Sequence, residues 1–185
     1  MRVLRAALAI VVAVGAGYFV YNCCWKRFLC NRTELRLQSR VESTLKIMDE
    51  PKARFIARQT LDHVSTCMEV TPGNVNLYMI RAAALRILGR PAEAIADYQH
   101  ALTLDRRPEI YVNLGGALEE AGREDEAIRE SIVGVFLQPA MLDAAPDALK
   151  LKIDGAIKPL HAAARRRELT ADMLRDIRVG LGSPR

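Results

Sequence analysis

Aromatic residues are scarce in this 185-residue chain, at 5% with a single tryptophan, although half of all positions are apolar. Alanine and leucine supply much of that apolar half, a composition that favours helices over sheets. Cysteine is sparse too. Cys23, Cys24, Cys30 and Cys67 are the whole set, and no two stand in the C-x-x-C spacing of a zinc or redox pair. Read this way, the cysteines imply neither a metal centre nor a disulfide-built fold, and they leave the redox compartment open. Acids are missing from residues 1–30, which carry Arg2, Arg5, Lys26 and Arg27. Of 27 basic residues that leaves 23 against 22 acids, so the formal charge of +5 belongs to the N-terminal segment. A nearly neutral remainder is a poor candidate for a nucleic-acid binder, which needs many phosphate contacts. Catalytic signatures are absent as well: there is no G-x-S-x-G, no P-loop and no glycine-rich phosphate cradle. His63, His100 and His161 are widely spaced, on three predicted helices, with no metal motif linking them. The reading is a non-enzymatic chain with no catalytic residues, metal or cofactor.

What is present begins with an apolar run. Ala6 to Trp25 is twenty residues without a charge, followed by Lys26 and Arg27. As a helix it would span about 30 Å, the thickness of a bilayer's hydrocarbon core. Tyr18, Tyr21 and Trp25 gather at its end, where amphipathic rings suit a headgroup interface. Residues 1–30 therefore read as a single-pass transmembrane anchor. A cleaved signal, giving a secreted or periplasmic protein, is the alternative, with Ala13 to Gly17 as small residues for a cleavage site. The apolar run continues past that point to Trp25, which favours the anchor. Basic residues flank both ends, so the side on which the soluble part lies stays open.

The organising feature is one sentence written twice. Tyr78, Gly89, Glu93, Ala94, Ile95 and Leu104 recur 33 positions later as Tyr111, Gly122, Glu126, Ala127, Ile128 and Leu137. A fixed period of that size marks a stacked-repeat architecture. Val75–Leu88 and Pro91–Leu104 are predicted as one antiparallel helix pair, Pro108–Ala121 and Glu124–Leu137 as the next. Gly89 and Gly122 fall where a helix must stop and the chain must turn. Before them, Thr33–Asp49, capped by Thr33, and Pro51–Val70 read as a degenerate pair. After them, Asp147–Arg165 reads as a capping helix that Pro159 bends or divides, with a last short helix from Thr170. The basic run Arg165 to Arg167 reads as a polar helix end.

This pattern resembles the tetratricopeptide repeat: aromatic, Leu-Gly, large apolar, Gly, Ala and Pro on a period near 34. The resemblance implies an all-α fold, a short solenoid in which helix pairs form a right-handed superhelix, preceded by the N-terminal transmembrane helix. Its divisions are the anchor at 1–30, a degenerate pair at 31–73, two repeats at 74–139 and capping helices at 140–185. Arg81-Ala82 departs from Leu-Gly, and Ser131 and Gly134 replace the aromatic and the alanine, which implies a loosely packed last repeat helix. By resemblance, the first helix of each pair lines a concave groove that binds a protein or peptide. The groove residues would be Asn76, Met79, Ala83 and Arg86 from the first repeat, and Glu109, Val112, Asn113, Gly116, Glu119 and Glu120 from the second. With acids at one end, the natural complement is a partner with an apolar anchor and a basic end. Such a chain would act as a scaffold or assembly factor at a membrane. The competing class is a spacer or self-associating homo-oligomer, because two complete repeats are fewer than a stack usually needs.

Overall fold

In a computed structural model of the chain, residues 14–21, 25–44 and 50–166 are described. Among them there is no strand. Residues 14–20 are helical and exposed. Then follow α1 (Lys26–Thr44), α2 (Glu50–Val70), α3 (Val75–Ile87), α4 (Pro91–Leu104), α5 (Pro108–Glu120), α6 (Glu124–Leu137), a 3-10 turn (Pro139–Ala144) and α7 (Asp147–Arg166). Each helix packs on the next, and α1 also reaches α3, the arrangement of stacked hairpins.

The 33-residue period is visible as duplicated turn geometry. Leu88 (φ −83°, ψ 0°) and Ala121 (φ −84°, ψ 1°) close α3 and α5. Gly89 and Gly122 follow with φ of 71° and 75°, a region open to glycine at little cost. Arg90 N–H then reaches back to Leu85 O at 2.9 Å, and Arg123 N–H to Leu118 O at 2.8 Å. These bonds satisfy carbonyls that the helix end would leave orphaned. Arg90 and Arg123 each then clasp the glutamate three residues on, Glu93 and Glu126. Pro91 and Pro108 open their helices, where a missing N–H costs nothing.

Alanine and glycine set the distance between paired helices. Ala82, Ala94, Ala101, Ala117 and Ala127 are wholly buried, and the large side chains Tyr98, Ile110, Leu114 and Leu118 fill the space beside them. The second pair is not loose. Ser131 and Gly134 are both buried in it. A Cβ on Gly115 would fall 2.1 Å from Ser131 Oγ, and one on Gly134 2.7 Å from Pro108 O. Small residues stand there because α6 lies nearer to α5 than an aromatic ring would permit.

The first helix differs from the expectation in position and in attachment. It begins at Lys26, not near residue 33, so Thr33 is interior, its hydroxyl donating to Leu29 O and Cys30 O at 3.0 Å. A threonine can satisfy itself on the preceding turn as readily as it caps one, and its sequence context does not separate the two. A Cys30–Cys67 disulfide joins α1 to α2. A single bridge is compatible with a fold not built on disulfides, but the cysteine spacing did not point to this pair. Spacing along the chain hides it, because the pair is 37 residues apart and meets only once the hairpin closes. Cross-linking a loop of that length stabilises a fold by about 4 kcal/mol in the chain-entropy picture.

At the other end, α7 lays Leu149, Ile153, Ile157 and Leu160 against the main core. It runs through Pro159 as one helix. Burial of Ile157 and Leu160 on either side outweighs the one backbone bond the proline removes. Among the described residues no helix is long and apolar enough to cross a membrane. Of the expected span Ala6 to Trp25, residues 6–13 and 22–24 lie outside them, as do the expected helix from Thr170 and residue Arg167.

Gly134→Ala should cost about 1–3 kcal/mol in urea denaturation despite alanine's better helix propensity, because its Cβ meets backbone on α5. Gly155→Ala, with open space around it, should be neutral or stabilising.

Candidate functional site: a groove between alternate helices

The first helices of successive hairpins, α1, α3 and α5, share one face of the stack. A cleft of about 360 Å³ opens there. Gln38 borders it from α1, Asn76, Met79, Ile80, Ala83 and Arg86 from α3, and Glu109 and Asn113 from α5. The Tyr98 ring forms part of its wall, and Arg107, just before α5, closes one end.

Six of the ten residues expected from the sequence therefore line one cavity: Asn76, Met79, Ala83, Arg86, Glu109 and Asn113. The other four do not. Val112 is buried in the core at 2% exposure. Gly116 is buried under the Arg86 guanidinium, which lies where its Cβ would be, 2.8 Å from Nη2. Glu119 and Glu120 sit at the end of α5, outside the cleft lining. Gln38, Ile80, Tyr98 and Arg107 were missed. Gln38 and Ile80 share the helical spacing of their neighbours and were within reach of that signal. Tyr98 comes from the second helix of its pair, and Arg107 from a connection, where periodicity is silent.

The groove's charges are already paired. Arg86 donates to Glu120 through Nη2 at 2.6 Å and through Nε at 3.1 Å. Burial works against the Arg86 charge, but the Glu120 carboxylate and the neighbouring Tyr98 hydroxyl hold it firmly protonated. Burial likewise pushes the Tyr98 hydroxyl up, with Arg86 pulling the other way. Arg107 donates to Asn76 Oδ1 at 2.8 Å and lies 3.1 Å from Asp105 and 3.4 Å from Glu109. Asn76 and Asn74 in turn donate to the two oxygens of Glu34 at 2.5 and 2.6 Å, which ties α1 to the head of α3. This corrects one expectation: Glu120 is not an open acid awaiting a basic partner. The cleft offers amides, a thioether and a tyrosine ring between neutralised ion pairs.

A second electrostatic feature lies between the paired helices. Arg81, which departs from the repeat pattern, donates to both oxygens of Asp97 on α4, through Nε at 2.7 Å. Asp97 is buried, and it tolerates burial because that guanidinium meets it in a fork. Thirty-three residues on, the same two slots hold Leu114 and Glu130. Leu114 offers no cation, and Glu130 Oε2 is buried without a hydrogen bond among the described residues. Burial raises its carboxyl from 4.5 to about 7, with Arg129 lowering it only in part.

Residues 75–108 match the family model described as Tetratricopeptide repeat. That stretch is α3, its turn, α4 and the first residue of α5, and it resembles that repeat in sequence as in hairpin geometry. No curated protein and no solved structure matches the chain.

The Glu130 environment has a sign. Its folded carboxyl holds a proton to about pH 7, while the unfolded chain releases it near 4.5. Stability should therefore fall as pH rises through that window, with the full cost present above about 7. Glu130→Gln should abolish the slope and raise Tm at pH 8 by a few degrees, since a cost on the order of 2 kcal/mol is removed. Thermal melts of both proteins from pH 4.5 to 8 measure it.

Proposed function

We propose that the chain is a membrane-anchored interaction module that holds a protein or peptide partner in the α1–α3–α5 groove, without a covalent step. One observation carries this reading. Six residues on two helices, chosen for where the first helix of each repeat points, converge on a single cleft. The repeat match over residues 75–108 supports the class, because such repeats generally serve as protein-binding modules. The preformed helices keep the ordering cost of binding low. With its own ion pairs closed, the cleft favours a partner that brings an apolar side chain to Met79 and Tyr98 and backbone amides to Asn76 and Asn113. The uncharged run Ala6 to Trp25 would tether the module to a bilayer as a single-pass segment. Because α7 already covers α6, a second copy is not needed to close that end of the stack.

Ala83→Arg fills the cleft without removing a core contact, and Asn113→Ala removes an amide from its wall. Full-length chain in detergent, immobilised and exposed to solubilised membranes of its host, should capture at least one protein that both variants lose about tenfold or more. Far-UV circular dichroism should be unchanged in both. Equal capture by wild type and variants would place partner binding elsewhere on the molecule.

A further inference from the structure

We propose that oxidation of Cys30 and Cys67 completes the groove, and that the module works only where thiols are oxidised. The proposal rests on the reading of the α1–α3–α5 face as the groove. It starts from what holds α1 in place among the described residues. Among its described side chains only Cys30 and Leu37 are buried. They belong to a small cluster with Val64, Cys67, Leu77 and Ile80, separate from the large core under α3 to α7. The ties of α1 among the described side chains include the two Glu34 bonds to Asn74 and Asn76 and a surface Lys26–Glu69 pair at 3.7 Å, and Gln38 is engaged as well. A surface ion pair fixes a helix weakly, and the two part-buried bonds to the Glu34 carboxylate hold it at one point. A covalent link between α1 and α2 fixes it strongly. Since α1 supplies Gln38 and holds Asn76 through Glu34, the groove loses a wall when α1 detaches.

The bridge is also reachable. Cys30 and Cys67 line a surface cleft between α1 and α2, alongside Lys26, Thr33 and His63. A small disulfide donor R–S–S–R can enter there. Two thiols then become the Cys30–Cys67 bond, the donor takes the two electrons and leaves as two R–SH. Such bonds persist in oxidising compartments and not in a reducing cytosol, so the repeat domain would lie on the oxidising side of its membrane.

The test uses the full chain in its native membranes. Free thiols are blocked with an alkylating reagent before and after reduction, and Cys30 and Cys67 are assigned by mass spectrometry. Both should be blocked only after reduction, on one disulfide-linked peptide pair. Hydrogen exchange of the purified full-length protein in detergent is then followed with and without a phosphine reductant. Amides of residues 26–44 should exchange about a hundredfold faster or more on reduction, while those of α3 to α6 keep their protection. Cys30→Ser with Cys67→Ser should reproduce the reduced pattern. Thiols free in the membrane, pairing of Cys67 with Cys23 or Cys24, or unaltered exchange in α1 would each overturn the proposal. None of these readouts needs a partner, so a groove that captures nothing would remove the functional reading and leave the clasp standing.

Discussion

Helix backbones in this protein approach until only alanine, serine or glycine fits between them, and the rest of the architecture follows from that spacing. Where the small residue is alanine, as at Ala82 and Ala101, a neighbouring aromatic such as Tyr98 fills the remaining space. Where it is glycine, at Gly115 and Gly134, the opposing helix moves in and no ring is accommodated. The two hairpins thus solve one packing problem with different side chains. In both solutions the first helices end up side by side, with their outer face turned to the groove. Close packing of this kind leaves interiors with little room to adjust, so the groove inherits its shape from residues that never touch it.

The repeated hairpin was legible because its signals are local. A glycine at a positive φ and the alanine that follows it in the next helix, Ala94 or Ala127, are each dictated within a few residues, and each recurs 33 positions on. The departures were legible as departures but not in their meaning. Arg81 breaks the pattern because Asp97 is its partner sixteen residues away on another helix. Ser131 and Gly134 look like weakness in a row of letters and are close approach in space. Six of the ten residues that line the groove could be named from position within the repeat. The charges in it could not, since whether Glu120 faces a partner or Arg86 depends on a guanidinium 34 residues earlier. Cys30 and Cys67 belong to the same class of hidden pairing.

The two ends of the stack are finished by unlike means. At the C-terminal end α7 supplies an amphipathic face, and burial of four aliphatic side chains holds it. At the N-terminal end α1 is polar along most of its length, and a covalent link and a carboxylate that bridges two asparagines join the burial of Leu37 in holding it. Burial is insensitive to the chemistry of the surroundings, and a disulfide is not. The part of the groove formed by α3 and α5 therefore rests on packing, and the wall that α1 adds rests in part on a bond that reduction can break.

The Arg81–Asp97 pair and its counterpart Leu114 and Glu130 carry a consequence for how such a chain can change. The two hairpins share one sequence pattern, yet their helices are not interchangeable parts. A recombinant that joined the first helix of the second unit to the second helix of the first would leave Asp97 facing Leu114, a buried charge with no counter-ion. The reverse exchange would give Glu130 the cation it now lacks. In the first hairpin the two helices are matched to each other by that ion pair, so the unit that can be moved intact is the pair of helices and not the single helix.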